Sequence, residues 1–180
     1  MKRQIRYGCF ETNSSQCHAI SVARDYDNRL KLPKKLVFHF GDFYGTESFN
    51  TVEDKASYLY TLLWNKYHFE GNDKRLKTFL KYLKETLINE GVEEVEFEEP
   101  KFTTDIWKKP EIEGGYVDTE GITDKFFTDL LYNTRRLKSF LFSKKSIVEM
   151  VRDDDEDYTE DFGPRKNNDK VSYDWTWFAR

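Results

Sequence analysis

Residues 51–91 hold the pattern that most narrows the fold. Apolar side chains at Val52, Ala56, Leu59, Leu63 and Tyr67 recur every three or four positions, and so do Leu76, Leu80, Leu83 and Leu87. That spacing places one apolar stripe along an α-helix. Thr51 precedes the first stripe as an N-cap, with Glu53 in the first turn and Asp54 three residues on, and Asn72 caps the second. Gly71 and Gly91 close the two helices, because glycine takes the left-handed backbone of a helix terminus without a Cβ clash. A connection as short as Gly71-Asn72 folds the second helix back on the first as an antiparallel pair.

The remaining chain reads mainly as strands. Cys17 to Val22 is a short strand, and Leu36 to Phe40 is another, bounded by Pro33 and Gly41. Val92 to Phe97 is a strand edged with glutamates, the pattern of a sheet edge protected by charge. Pro100 and Pro110 bracket an irregular stretch, and Gly114-Gly115 leads into Tyr116-Val117-Asp118. A third helix runs from Thr123 to about Asn133 with Phe126, Phe127, Leu130 and Leu131 inward. Ser139 to Phe142 and Ser146 to Val151, flanking Lys144-Lys145, read as a β-hairpin. The tail Val171 to Trp177 alternates with period two, so Val171, Tyr173, Trp175 and Trp177 share one strand face. The expected fold is a single α+β domain over 1–180, a mostly antiparallel sheet with two or three packed helices. Its parts are an N-terminal motif segment (1–22), a helical pair (about 51–90) and a C-terminal hairpin and strand (about 137–180).

Composition matters because the chain is polar, with 34% charged and 38% hydrophobic residues. Four Trp, eleven Tyr and fifteen Phe make up 17% of it. Each buried aromatic removes roughly 150–250 Å² from water, so aromatics can supply the core and disorder is excluded. The basic start Met1 to Arg6 is followed by no apolar stretch, and no run approaches the ~20 apolar residues of a membrane span. A soluble protein in the cytoplasm of a bacterial host is expected, with no membrane partner. Cys9 and Cys17 are expected to be free thiols. The two Cys and three His lack the spacing of a structural zinc site, so neither a metal nor another cofactor is expected.

The segment Arg6-Tyr7-Gly8-Cys9-Phe10-Glu11-Thr12-Asn13-Ser14-Ser15-Gln16-Cys17-His18 concentrates polar and nucleophilic groups directly before a strand. Glu11 and His18 can serve as an acid–base pair, since His titrates near neutrality. Arg3 or Arg6 can clamp a phosphate through a planar fork of donors, with Asn13, Ser14 and Ser15 as polar positioners. Together these groups suffice for metal-independent RNA cleavage, in which the 2′-hydroxyl is the nucleophile. Ser14, Ser15 or Cys17 is an alternative nucleophile for His18, although adjacent strand residues such as Cys17 and His18 point to opposite faces. The same side chains also stabilise turns without any catalysis.

This segment resembles a family of small bacteriophage and mobile-element proteins that begin with a basic residue, then Gly, then Phe-Glu-Thr-Asn-Ser-Ser-Ser-x-His. The resemblance extends through Lys55-Ala56-Ser57-Tyr58-Leu59-Tyr60, Gly115-Tyr116-Val117-Asp118 and Phe140-Leu141-Phe142. Gln16-Cys17 departs from the family's third Ser and following Thr, and Thr119 stands where many relatives carry His. The resemblance implies a phage-type accessory protein and no particular activity.

Charge is segregated behind a net value of −4. Lys74, Lys77, Lys81 and Lys84 line one stripe of the second helix, suited to phosphate contacts or to simple solvation. Arg135, Arg136, Lys138, Lys144 and Lys145 form a second basic cluster around the expected hairpin, and the two clusters could border one groove. Glu93, Glu94, Glu96, Glu98 and Glu99 form an acidic patch, and Asp153 to Asp157 with Glu160 and Asp161 an acidic run without the spacing of a calcium loop. His39 and His68 stand alone, and Tyr173, Trp175 and Trp177 suit a core more than base stacking. The expected partner is nucleic acid, RNA before DNA, acted on in an anti-defence role such as cleavage of a guide RNA. The alternative is a non-enzymatic inhibitor, like anti-CRISPR proteins, whose acidic run blocks a host nucleoprotein complex.

Overall fold

The computed structural model describes residues 16–23, 32–43, 47–102, 114, 115, 117, 119 and 122–152. In chain order the elements are β1 (Gln16–Ser21), β2 (Lys35–Phe38), β3 (Glu47–Phe49), α1 (Val52–Phe69), α2 (Asp73–Asn89), β4 (Glu94–Phe97), α3 (Asp124–Leu131), α4 (Thr134–Phe142) and β5 (Ile147–Arg152). β1, β5 and β3 form an antiparallel sheet in that order, and β2 pairs with β4 in parallel. The fold class is α+β, with four helices among the described residues because the stretch read as the first arm of a hairpin is helical.

The two long helices start and stop where local chemistry dictates. The Thr51 hydroxyl accepts the Asp54 N–H at 3.1 Å and donates to the Asp54 carboxylate at 2.5 Å. Asn72 accepts the Arg75 N–H at 3.3 Å. At the end of α1, Gly71 N–H reaches His68 O at 2.9 Å and Asn72 N–H reaches Tyr67 O at 2.7 Å. At the end of α2 the same pair of bonds recurs, Gly91 to Ile88 and Val92 to Leu87, each at 3.0 Å. This crossed pattern needs positive φ at the glycine, and Gly71 and Gly91 have φ of 71° and 109°.

A single apolar stripe understates α1. Every residue from Lys55 to Leu63 is buried, because β2, α2 and α4 all pack against this helix. Its polar side chains are consumed internally. Ser57 Oγ accepts the His39 N–H at 3.1 Å, and Thr61 Oγ1 accepts the Gly41 N–H at 3.3 Å. These bonds take over backbone donors just past β2. Asn65 Nδ2 donates to Thr61 O at 2.9 Å and Gly115 O at 2.6 Å.

Aromatics do supply much of the described core. Tyr67, Phe79 and Phe127 join α1, α2 and α3 at centroid separations of 5.3, 5.4 and 6.2 Å. Phe38 lies 4.9 Å from Phe97 across the parallel strands, and Tyr60 packs 5.3 Å from Phe97. Asp124 at the start of α3 accepts the Tyr67 hydroxyl at 2.7 Å and pairs with Arg75 at 2.8 Å. Burial and the adjacent Asp124 carboxylate hold the Tyr67 phenol above its ordinary pKa.

One sequence expectation is corrected. Ser139 to Phe142 belong to α4, so there is no hairpin around Lys144-Lys145; those residues lie in the turn from α4 to β5. Read from Asn133, which caps α4 by accepting the Arg136 N–H at 3.1 Å, Leu137, Phe140 and Leu141 follow helical spacing and all are buried. Starting at Ser139 hides that period behind a short apolar run. The short strand β3 is not among the expected elements, because its three residues carry no clear signal in sequence. The tail alternation at 171–177 lies outside the described residues.

Candidate nucleic-acid interface

Arg3, Arg6, Glu11, Asn13, Ser14 and Ser15 lie outside the described residues, as do the acidic run and Asp118. His18 is in β1, where its backbone pairs opposite Met150 of the central strand β5.

The far end of β1 is anchored by a buried polar cluster. Lys55 is fully buried, and its Nζ donates to Ser143 O at 2.6 Å and Ser146 O at 3.1 Å, in the turn before β5. Ser146 Oγ donates to Ser139 O at 2.7 Å and accepts the Ala23 N–H at 3.0 Å, while the Ser139 hydroxyl donates to Ala23 O. Desolvation of the ammonium lowers the Lys55 pKa to about 8. The cluster ties α1, α4 and β5 to the segment leaving β1. Sequence reading misses it, since a lysine inside an apolar stripe looks like a surface residue.

The α2 lysines are where the spacing puts them. Lys74, Lys77, Lys81 and Lys84 are all exposed, and ten residues at 1.5 Å rise spread them over about 15 Å. Residues seven apart lie one above another, so they form two rows, Lys74 with Lys81 and Lys77 with Lys84. Lys81 pairs with Glu85 at 3.8 Å. Among the described residues Lys74 and Lys77 have no carboxylate partner.

The row of Lys84 borders the parallel strands. Lys84 lines an open groove of about 570 Å³ with Val37, His39, Val95, Glu96, Phe97 and Glu98. Several glutamates there have basic partners on β2 and its flanks. Lys35 bonds Glu96 at 2.8 Å and Glu94 at 3.2 Å, Lys34 meets Glu93 at 3.5 Å, and His39 meets Glu98 at 3.0 Å. Hydrogen bonds to Glu96 and Glu94 raise the Lys35 pKa, and the Lys35 ammonium lowers that of Glu96. The two lysines thus offset only part of the negative charge of the five glutamates in the patch.

The second basic cluster does not share this groove, since none of its residues lines it. Lys138 pairs with Glu90 at the end of α2 at 2.6 Å. Arg135, Lys144 and Lys145 are exposed. His68 pairs with Asp73 at 2.8 Å. Among the described residues no group of three His, Cys, Asp or Glu is placed to hold a metal ion, and no helix is long and apolar enough to cross a membrane. No protein-family model, curated protein or solved structure matches the chain.

Proposed function

We propose that this chain binds the sugar–phosphate backbone of a nucleic acid through α2, RNA before DNA, as a phage-type accessory protein acting against a host defence system in the host cytoplasm. One observation carries the reading. Four exposed ammonium groups follow one helix for about 15 Å, and among the described residues only Lys81 of the four has a carboxylate partner within ion-pair distance. A polyanion gains from such a stripe by releasing its condensed counterions. The preference for RNA rests on the motif ending in His18, where Glu11 and His18 would act on the 2′-hydroxyl with Arg6 on the phosphate. The inhibitor reading rests on the acidic run, outside the described residues, and on the glutamates of β4 and its flanks, whose charge Lys34 and Lys35 offset in part.

Fluorescence anisotropy with labelled structured RNA across a salt series tests the binding. Replacing Lys74, Lys77, Lys81 and Lys84 together by Gln should flatten the plot of log affinity against log salt by about 0.7–0.9 for each phosphate no longer neutralised. An unchanged slope removes α2 from the interface. Cleavage is scored separately on gels, where His18→Ala and Glu11→Gln should each abolish cutting while RNA binding persists.

A further inference from the structure

Among the described residues four large apolar side chains are strongly exposed: Phe69, Ile88, Phe102 and Tyr132. Tyr132 differs from the other two aromatics in its electrostatic setting. Phe69 and Phe102 flank His68, at 5.9 and 6.3 Å between centroids. His68 is paired with Asp73, and Glu70, next to Phe69, with Lys66 at 2.6 Å, so the charges beside those two rings are taken up locally. Tyr132 sits between α3 and α4, three residues before the exposed Arg135. The ring on which it rests belongs to α2, the lysine-bearing helix.

We infer that Tyr132, held against Tyr82, is a stacking platform for an unpaired nucleobase, so that the nucleic acid bound by α2 is single-stranded. The inference rests on the phosphate-binding reading of α2 and adds the strandedness of its ligand. The ring is half exposed, at 50%. It is also fixed: Tyr82 meets it edge to face at 4.6 Å and 86°, and Phe79 supports it at 5.9 Å. Tyr82 and Phe79 belong to the packed interior or its border, so stacking needs no reordering of the ring. A half-exposed, firmly held aromatic ring with cations on the same pair of helices is the combination that single-strand binders use, stacking for the base and ammonium or guanidinium groups for the backbone. Lys74 and Lys77 precede Tyr82 in α2, and the exposed Arg135 occupies the first turn of α4, which carries no acidic residue. Cations there oppose the helix dipole, and an incoming phosphate relieves that conflict. The nearby carboxylates are already matched, Glu85 by Lys81 and Asp129 by Lys125. Duplex bases are buried in their own stack and offer no face to Tyr132.

The test is anisotropy with labelled oligoadenylate of about 10 nucleotides, within the site sizes of single-strand binders, and with a duplex of equal length. Tyr132→Leu keeps apolar packing on Tyr82 but removes the aromatic face; Tyr132→Phe keeps both, and circular dichroism checks the fold of each. Tyr132→Leu should weaken oligoadenylate binding roughly 5- to 150-fold, the usual range for losing one stacked base, with the salt slope and duplex binding unchanged. Tyr132→Phe should bind as the parent does. Equal oligoadenylate affinity for Tyr132→Leu and parent, or equal parent affinity for duplex and single strand, overturns the inference. If the lysine-to-glutamine variant still flattens the salt slope in that case, the phosphate reading survives alone. Absence of salt-dependent binding by the parent protein ends both.

Discussion

Lys55 offers a quantitative test of the core. Its ammonium is buried with two backbone carbonyls and no carboxylate beside it among the described residues, and its pKa falls from 10.5 to about 8. At 1.36 kcal/mol per unit, the charged amine costs the folded state about 3 kcal/mol at neutral pH. The folded pKa lies below the unfolded one, so between the two the unfolded chain holds more protons. Stability therefore rises with pH through that window, the cost being complete below about 8 and gone above 10.5. From about pH 7 to about pH 9.5 the group should contribute a gain of about 2 kcal/mol. Above pH 10 the trend reverses in part, because burial raises Tyr60 to about 12 and Tyr67 is raised as well, so their ionisation opposes folding. Lys55→Met removes both the charge and its titration. It also leaves the carbonyls of Ser143 and Ser146 without this donor, at about 1–3 kcal/mol each. The two effects are of similar size at neutral pH, so net stability there is a poor readout and the slope is the decisive one. Urea denaturation followed by circular dichroism should give a rising midpoint from pH 7 to 9.5 for the parent and a line flatter by about 2 kcal/mol for Lys55→Met. Parallel lines for the two proteins would refute the buried, desolvated ammonium.

Gly115→Ala should destabilise by about 3 kcal/mol or more, since its Cβ would lie 1.8 Å from Cε1 of Phe40 and its φ is +72°; a thermal midpoint within a degree of the parent's would contradict the close approach. Tyr67→Phe deletes the hydroxyl that donates to Asp124 at 2.7 Å, and a loss of about 1.5–3 kcal/mol in urea is expected for a bond to a charged group. The loss should shrink when Asp124→Asn is already present, and a double-mutant cycle that shows strict additivity would deny the contact.

The parts of the fold visible in the sequence are those governed by local chemistry. Thr51, Asn72, Gly71 and Gly91 mark helix ends because caps and left-handed glycines act within one turn, and the described backbone places each where that rule requires. Segment 139–142 misleads because Phe140-Leu141-Phe142 satisfies a strand and a helix equally; the deciding residue, Asn133, lies more than a full turn upstream. The burial of Lys55 is invisible for a different reason. Its partners are carbonyls 88 and 91 residues away, and backbone acceptors leave no mark on a sequence.

The charge pattern shows how far sequence reading carries into function. Two basic clusters and an acidic patch are legible, and their solvent exposure largely agrees with the helical wheel. Which charges remain available for a partner is decided by tertiary pairing. Lys34 and Lys35 offset part of the charge of the glutamates on β4 and its flanks, Glu90 takes Lys138, and Lys84 faces that strand. Lys74, Lys77 and Arg135 stay uncompensated among the described residues. Those three cations lie on α2 and α4, and Tyr132, at the α3–α4 junction, rests its ring on Tyr82 of α2. A ligand that satisfies all of them must carry spaced negative charges and a flat apolar face. A single strand of nucleic acid carries both in every repeating unit, whereas a simple anion supplies only the first and a neutral aromatic only the second.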